Sequence, residues 1–369
     1  MKNKNKKLKI DGSDVRTGQI DVTLSKTDFT SRFLTQFYDP AFKTVRNELN
    51  KITDIAWDGY IKYRREPILK KAGQKFLKPN FLISAEWIAT SKKLNALERI
   101  QKKQQSKSKI LIICASSRND QTCPGEMSKT FRLAKSAEKQ ILMSKNFEVD
   151  FLDLSRLSAE YGKKIYPCKS CVSTAMPLCN WPCSCYPNHA IGQNGDWMSE
   201  IYEKWVSAHG VMIVTPVNWY QAPSGLKLMM DRLVCADGGN EDPTTTDGKD
   251  PQKAKALELK GWVYKKHLAG RAFSVIVHGD AAGVENLRRI LVDWLTDLGL
   301  IQAGKASVLD RYIGYFRTYA LSHQDLDQDI NFFKDVNTAA ESLTVTVKSM
   351  RNKKWIIPDK NLKISSAQK

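Results

Sequence analysis

The sequence predicts an α/β protein, a doubly wound five-stranded parallel sheet with an N-terminal helical extension, and three observations carry that prediction. From about residue 109 onward, short β-branched apolar runs alternate with longer amphipathic segments. Val211 to Val214 is apolar at every position, as an interior strand covered on both faces requires. Residues 26–105 instead carry apolar side chains mostly at three- and four-residue spacing.

Taken in order, residues 1–25 are polar, lysine-rich and aperiodic, and are expected to form a disordered basic tail. In the helical extension, Phe33, Leu34, Phe37, Phe42, Val45, Leu49, Ile52 and Ile55 trace a helical face. Asp39-Pro40 reads as a helix start, with proline in the first turn. The pattern breaks around Ala72-Gly73 and Pro79-Asn80 and resumes from Ser84 to Ile100. No His, Cys or catalytically spaced carboxylate pair occurs there, so packing on the main domain or a second subunit is the expected role.

Residues 106–350 form the expected main domain. Its strands are read at Lys109 to Ala115, Phe147 to Leu154, Gly210 to Thr215, Arg271 to His278 and Ala306 to Tyr312. Helices are expected at Met127 to Met143, about 196–208, 224–234 and 284–299, and a closing helix from Asp325 to Met350. Two insertions interrupt the rhythm, a Cys-rich one at 165–190 and a polar one at 236–266, and residues 351–369 form a C-terminal tail.

Charge and composition narrow the function. The net charge of +19 is concentrated at the N-terminal end, where residues 1–108 hold 24 Lys and Arg against 11 Asp and Glu. The lysines are scattered through helical patterns, as on a solvated surface, so nucleic acid is not an expected partner; a nucleic-acid-binding or scaffold role for the extension is the third reading. No apolar run is long enough to span a membrane and the first residues lack a signal-peptide core, which points to a cytoplasmic protein.

The chemistry gathers where strands end. The first strand runs into Ser116, Arg118, Thr122, Ser128 and Thr130, hydroxyls and a guanidinium at a helix N-terminus, where free N–H groups and the helix dipole favour a phosphate. The glycines of the Walker and dinucleotide loops are missing. After the third strand come Pro216, Val217, Asn218, Trp219 and Tyr220, and then Ser224, placed to cap an amphipathic helix containing Leu226, Met229, Met230 and Leu233. The fourth strand delivers His278, Gly279, Asp280 and Gly283, small residues that allow a planar ring to approach the backbone. His278 is read as a local hydrogen-bonding group at a strand end and not as an acid.

On these segments, about residues 109 to 320, the chain resembles the flavodoxin-like NADPH-dependent FMN reductases. In that family a Pro-x-x-Trp/Tyr/Asn segment precedes a Leu-Lys-x-x-x-Asp-x helix, and a hydroxyl-rich first loop replaces glycine-rich phosphate motifs. The resemblance implies strand order 2-1-3-4-5, with FMN held by Ser116, Arg118, Thr122, Ser128, Thr130, Pro216, Val217, Asn218, Trp219, Tyr220, Ser224, Gly279, Asp280 and Gly283. It also implies NADPH or NADH as co-substrate, a small-molecule acceptor such as a quinone or free flavin, and a homodimer or higher homo-oligomer. No catalytic side chain is assigned, because the flavin carries the chemistry.

Cys168, Cys171, Cys179, Cys183 and Cys185 place five thiols within 18 residues. The segment Phe37 to Phe42 resembles the extension in a cysteine-containing branch of flavodoxin-family proteins, which carries no role over; separately, a compact cysteine motif occupies the position of these thiols in iron-sulfur flavoproteins. That likeness implies a 4Fe-4S cluster and one-electron transfer as the alternative function, although the seven-residue gap departs from their spacing. Four thiolates also suit zinc, and a redox-active pair or unligated thiols remain open. The polar insertion, rich in turn formers, is placed as a lid or dimer contact.

Overall fold

In the computed structural model, which describes residues 9–10, 13–14, 18–62, 68–123, 125–186, 195–314 and 316–354, a wholly parallel sheet is built from six strands. They are β1 (Ser108–Cys114), β2 (Phe147–Asp153), β3 (Gly210–Pro216), β4 (Ala272–Gly279), β5 (Ile301–Gln302) and β6 (Val308–Tyr312). Their order is β2-β1-β3-β4-β6, with β5 also pairing β4. This is the flavodoxin-like order, with the two-residue β5 added ahead of the last strand. Most of the expected tail over residues 1–25, the end of the Cys-rich insertion from residue 187 and most of the tail over 351–369 lie outside the described residues.

Full burial explains why the central strands read as unbroken apolar runs. Ile110, Leu111, Ile112 and Ile113 of β1 have no exposed surface, and every residue of β4 is buried. On one face, helices α4 (Lys129–Leu142) and α10 (Ile330–Arg351) seal the sheet through Leu133, Ala137, Ile141, Val336, Leu343 and Val347. Gly210 shows how close that packing is, since a Cβ there would stand 2.8 Å from the Val347 side chain and 2.9 Å from Ile110. On the other face lie α5 (Met198–Ser207) and α8 (Val284–Asp297), whose Trp205 and Trp294 meet edge to face with centroids 6.0 Å apart.

Several element ends differ from the sequence reading for local reasons. The first helix of the sheet domain starts two residues later than expected, because Ser128 takes the cap and accepts the Phe131 N–H at 3.0 Å. Ser224 does not cap α6 (Ser224–Arg232): it is the first helical residue, and Pro223 stands at the cap position without a side-chain bond. The closing helix is two helices, α9 (Ser322–Gln328) and α10, because Asp329 accepts the Phe332 N–H and restarts the chain as a new N-cap.

The chain divides into two compact units: residues 90–168, 197–238 and 264–369 carry the sheet, and residues 1–89, 169–196 and 239–263 form the other. In the second unit, α1 (Lys26–Leu34) meets α2 (Arg46–Ile61) through aromatic rings, with Phe29 5.5 Å from Trp57 and 4.9 Å from Tyr60. Asp39 and Pro40 do start a helical segment, a 3-10 turn over Pro40–Val45 capped by the Asp39 carboxylate. The expected apolar face of α2 is only partly covered: Leu49 is buried, whereas Ile52 and Ile55 are exposed. A short antiparallel hairpin, Leu69–Lys71 with Leu82–Ser84, precedes α3 (Ala85–Gln101), and α7 (Pro251–Leu259) lies in the polar insertion. The Cys-rich and polar insertions fold together in this unit: Asn240 donates its N–H to Cys179 O at 2.7 Å and accepts that of Trp181 at 2.8 Å. The Trp87 indole donates to Pro182 O at 2.9 Å.

Candidate functional site

The loop from β1 into α4 spends most of its hydroxyls on its own shape. Ser116 accepts the Arg118 N–H at 3.1 Å, Thr122 donates to Asn119 O at 2.8 Å, and Ser128 is the helix cap. Thr130, in the first turn of α4, shares a 2.8 Å hydrogen bond with His278 Nε2, which ties the start of that helix to the end of β4. Burial, and then the nearby Lys129, push the His278 imidazole down to about 3, so at neutral pH it carries no charge. Its Nδ1 has no hydrogen-bond partner among the described residues.

Two cations converge on this loop, and one of them was not singled out by the sequence. Arg118 lies 4.0 Å and the Lys129 ammonium 3.8 Å from the ring centroid of Tyr319. Lys129 is 3% exposed, and its ammonium donates to the Ser322 hydroxyl. No carboxylate of the described residues comes within ion-pairing distance of it. Burial lowers its pKa, with Asp280 and Glu126 acting in the opposite sense from farther away. The Tyr319 hydroxyl accepts the Lys129 N–H at 3.3 Å, at the first residue of α4. Nothing local in the sequence signals this arrangement, since Tyr319 arrives from 190 residues away.

The segment after β3 forms a tight two-residue turn. Asn218 and Gln221 exchange both backbone hydrogen bonds at 2.9 Å, leaving Trp219 and Tyr220 at the tip with φ of 45° and 66°. Two positive φ values in that geometry match a type I′ turn, whose usual residues are Asn and Gly. Bulky side chains there are strained, and strain of this kind collects at functional sites. Both side chains face outward, Trp219 being 91% and Tyr220 60% exposed.

The loop after β4 packs directly on that turn. A Cβ on Gly279 would fall 2.5 Å from Val217 Cγ1, and one on Gly283, whose φ is +106°, would fall 2.8 Å from the Tyr220 Cα. Glycine at both positions therefore lets the two loops form one continuous surface. Asp280 is exposed at its rim. A separate cavity of about 360 Å³ opens between the ends of β1 and β2, lined by Arg118, Ser128, Asp153 and Arg156 among others. None of the Pro216–Tyr220 or Gly279–Gly283 residues lines it.

The five-cysteine segment, read from its spacing as an iron-sulfur or zinc site, gains no support from the described residues. Among the described residues no group of three or more His, Cys, Asp or Glu side chains is placed to hold a metal ion. Cys168 belongs to the sheet unit and the other four cysteines to the second unit. The cation beside the thiols is instead an ammonium: Lys249 Nζ lies 3.7 Å from Cys171 Sγ and 3.6 Å from Cys185 Sγ.

The profile of the family described as NADPH-dependent FMN reductase matches residues 108–312, from the first residue of β1 to the last of β6. Among solved structures, the chain is similar to RosB with its bound intermediate 8-demethyl-8-formylriboflavin-5'-phosphate, at 14% identity and a TM-score of 0.47 over 67% of this chain and 82% of that one. It is also similar to an FMN-dependent NADH-azoreductase from Bacillus anthracis str. Ames Ancestor in complex with FMN, at 20% identity and a TM-score of 0.37 over 64% and 100% of the two chains. Comparison with curated proteins returns no match. With more than half of its residues matched, the chain belongs to the NADPH-dependent FMN reductase family and is a flavin-dependent oxidoreductase.

Proposed function

We propose that the protein is an FMN-dependent NAD(P)H oxidoreductase that reduces a small acceptor such as a quinone or a free flavin, with the FMN phosphate held at the N-terminus of α4. The observation that carries this reading is Lys129, a buried ammonium with no carboxylate of the described residues in ion-pairing distance, set beside Arg118 at a helix N-terminus. A buried cation is disfavoured until an anion joins it, and a phosphate dianion suits two cations and a helix dipole.

Bound FMN supplies reversible acceptance of a hydride. The chain supplies grip, surface and dryness. Arg118 and Lys129 neutralise the phosphate, while the Ser116, Thr122, Ser128 and Thr130 hydroxyls hold the loop in shape. Pro216, Val217, Asn218, Trp219 and Tyr220, backed by Gly279, Asp280 and Gly283, offer the strained turn as a platform for the ring; Ser224 starts the helix behind it. His278 is uncharged and bonded to Thr130, so it fixes the start of α4 to the end of β4 and moves no proton. Orientation on this platform and exclusion of water, not a protein acid or base, are what nicotinamide-to-flavin transfer requires. The exposed Trp219 and Tyr220 also suit a homodimer in which a second subunit closes over the platform.

Anaerobic mixing of FMN-loaded protein with NADPH or NADH tests the reading. Rapid bleaching of the flavin bands, followed by reoxidation with a quinone, is expected. Protein that holds FMN but is not reduced by either nicotinamide would rule the proposal out.

A further inference from the structure

Cys171 and Cys185 belong to the unit that also holds most of the polar insertion. Their sulfurs are 3.6 Å apart across 14 residues of chain, and both side chains are half-buried, within reach of a small solute. Lys249 brings its ammonium to both sulfurs and anchors itself by donating to Leu178 O at 3.0 Å. The same lysine forms part of the wall of a cavity of about 220 Å³ lined by Phe81, Trp87, Asn180 and Ser184. Two thiols converging on one ammonium form a constellation, not an isolated cysteine, and a neighbouring cation is the usual means of activating a thiol.

We propose that Cys171 and Cys185 are a peroxide-reactive dithiol, with Lys249 as its positioning cation. In the first step the Cys171 sulfur attacks one oxygen of hydrogen peroxide. The O–O bond breaks, hydroxide leaves and takes up a proton, and Cys171 becomes a sulfenic acid. Cys185 sulfur then attacks the Cys171 sulfur, the S–O bond breaks, water departs, and an intramolecular disulfide remains. Two thiols lose two electrons and one peroxide gains them, giving two waters. The Lys249 ammonium, anchored on Leu178 O, faces both sulfurs and favours the thiolate that makes the attack.

Full-length protein treated with one equivalent of hydrogen peroxide, blocked with N-ethylmaleimide and digested tests the pairing. The expected main oxidised species is a peptide cross-linked between Cys171 and Cys185. In Cys185→Ser, dimedone should label Cys171 after peroxide treatment. Lys249→Met should slow the reaction at neutral pH about ten-fold, and Lys249→Arg should recover most of the rate. A cross-link to Cys179 or Cys183 instead, or sulfinic acid at Cys171 with Cys185 unmodified, would overturn the proposal. So would stoichiometric zinc or iron in the purified protein that protects both thiols. The wild-type peptide map requires no substitution and decides the matter even if the variants fail to fold.

Discussion

Replacing Trp219 and Tyr220 together by glycine separates the strain of the β3 turn from its use. Each residue sits at positive φ, where a side chain costs about 1–2 kcal/mol relative to its preferred conformations. Glycine removes that strain but adds unfolded-state freedom worth roughly 0.5–1 kcal/mol. Little burial is lost, since the side chains are 91% and 60% exposed. The net gain is about 0.5–1 kcal/mol per site, or roughly 1–2 kcal/mol for the pair, which corresponds to a rise of about 2–8 °C in the melting temperature of a domain of this size. The cost falls on the ligand: losing an aromatic contact of about 0.5–1.5 kcal/mol weakens FMN binding roughly 2- to 12-fold. Thermal melts of the apoprotein and fluorescence titration with FMN measure the two effects. A variant that melts lower than the parent while holding FMN equally well would contradict both the strain and the ring contact assigned to this turn.

Lys129→Met removes a charged hydrogen-bonding group from the proposed phosphate site and should weaken FMN binding by about 1.5–3 kcal/mol, or roughly 10- to 150-fold, in the same titration. Gly283→Ala places a Cβ 2.8 Å from the Tyr220 backbone at a φ of +106°, and chemical denaturation should show a loss of about 1–3 kcal/mol. His278 and His209 are held, chiefly by burial, at about 3 and about 4, below the ordinary 6.5 of the unfolded chain. Below pH 6.5 the unfolded state therefore takes up protons that the native state refuses. Stability should be full above pH 6.5 and fall as the pH drops toward 4 and then 3, and His278→Asn should flatten the acid side of that profile if it folds.

Much of the fold was legible because the sheet is buried on both faces. A strand such as Val211 to Val214 must be apolar throughout, and the four main βα alternations follow from that constraint. The two-residue strand at Ile301–Gln302 was too short to leave a period, and the break at Asp329 depended on a cap that an apolar pattern does not record. The positions of the loops at strand ends could be read from their residue types, whereas the meeting of Lys129, Arg118 and Tyr319 could not, because it joins segments 190 residues apart. The cysteine spacing suggested ligands for a metal. The lysine that faces two of those sulfurs comes from the polar insertion, 78 residues beyond Cys171, where no spacing rule would look.

Whether this chain grips a flavin by its phosphate is decided by a paired titration of apoprotein with FMN and with riboflavin. One FMN per chain should bind, about 100-fold or more tighter than riboflavin because two cations and a helix N-terminus meet only the phosphate, and added salt should weaken it. Equal affinity for the two flavins, or no binding of either, would contradict that grip.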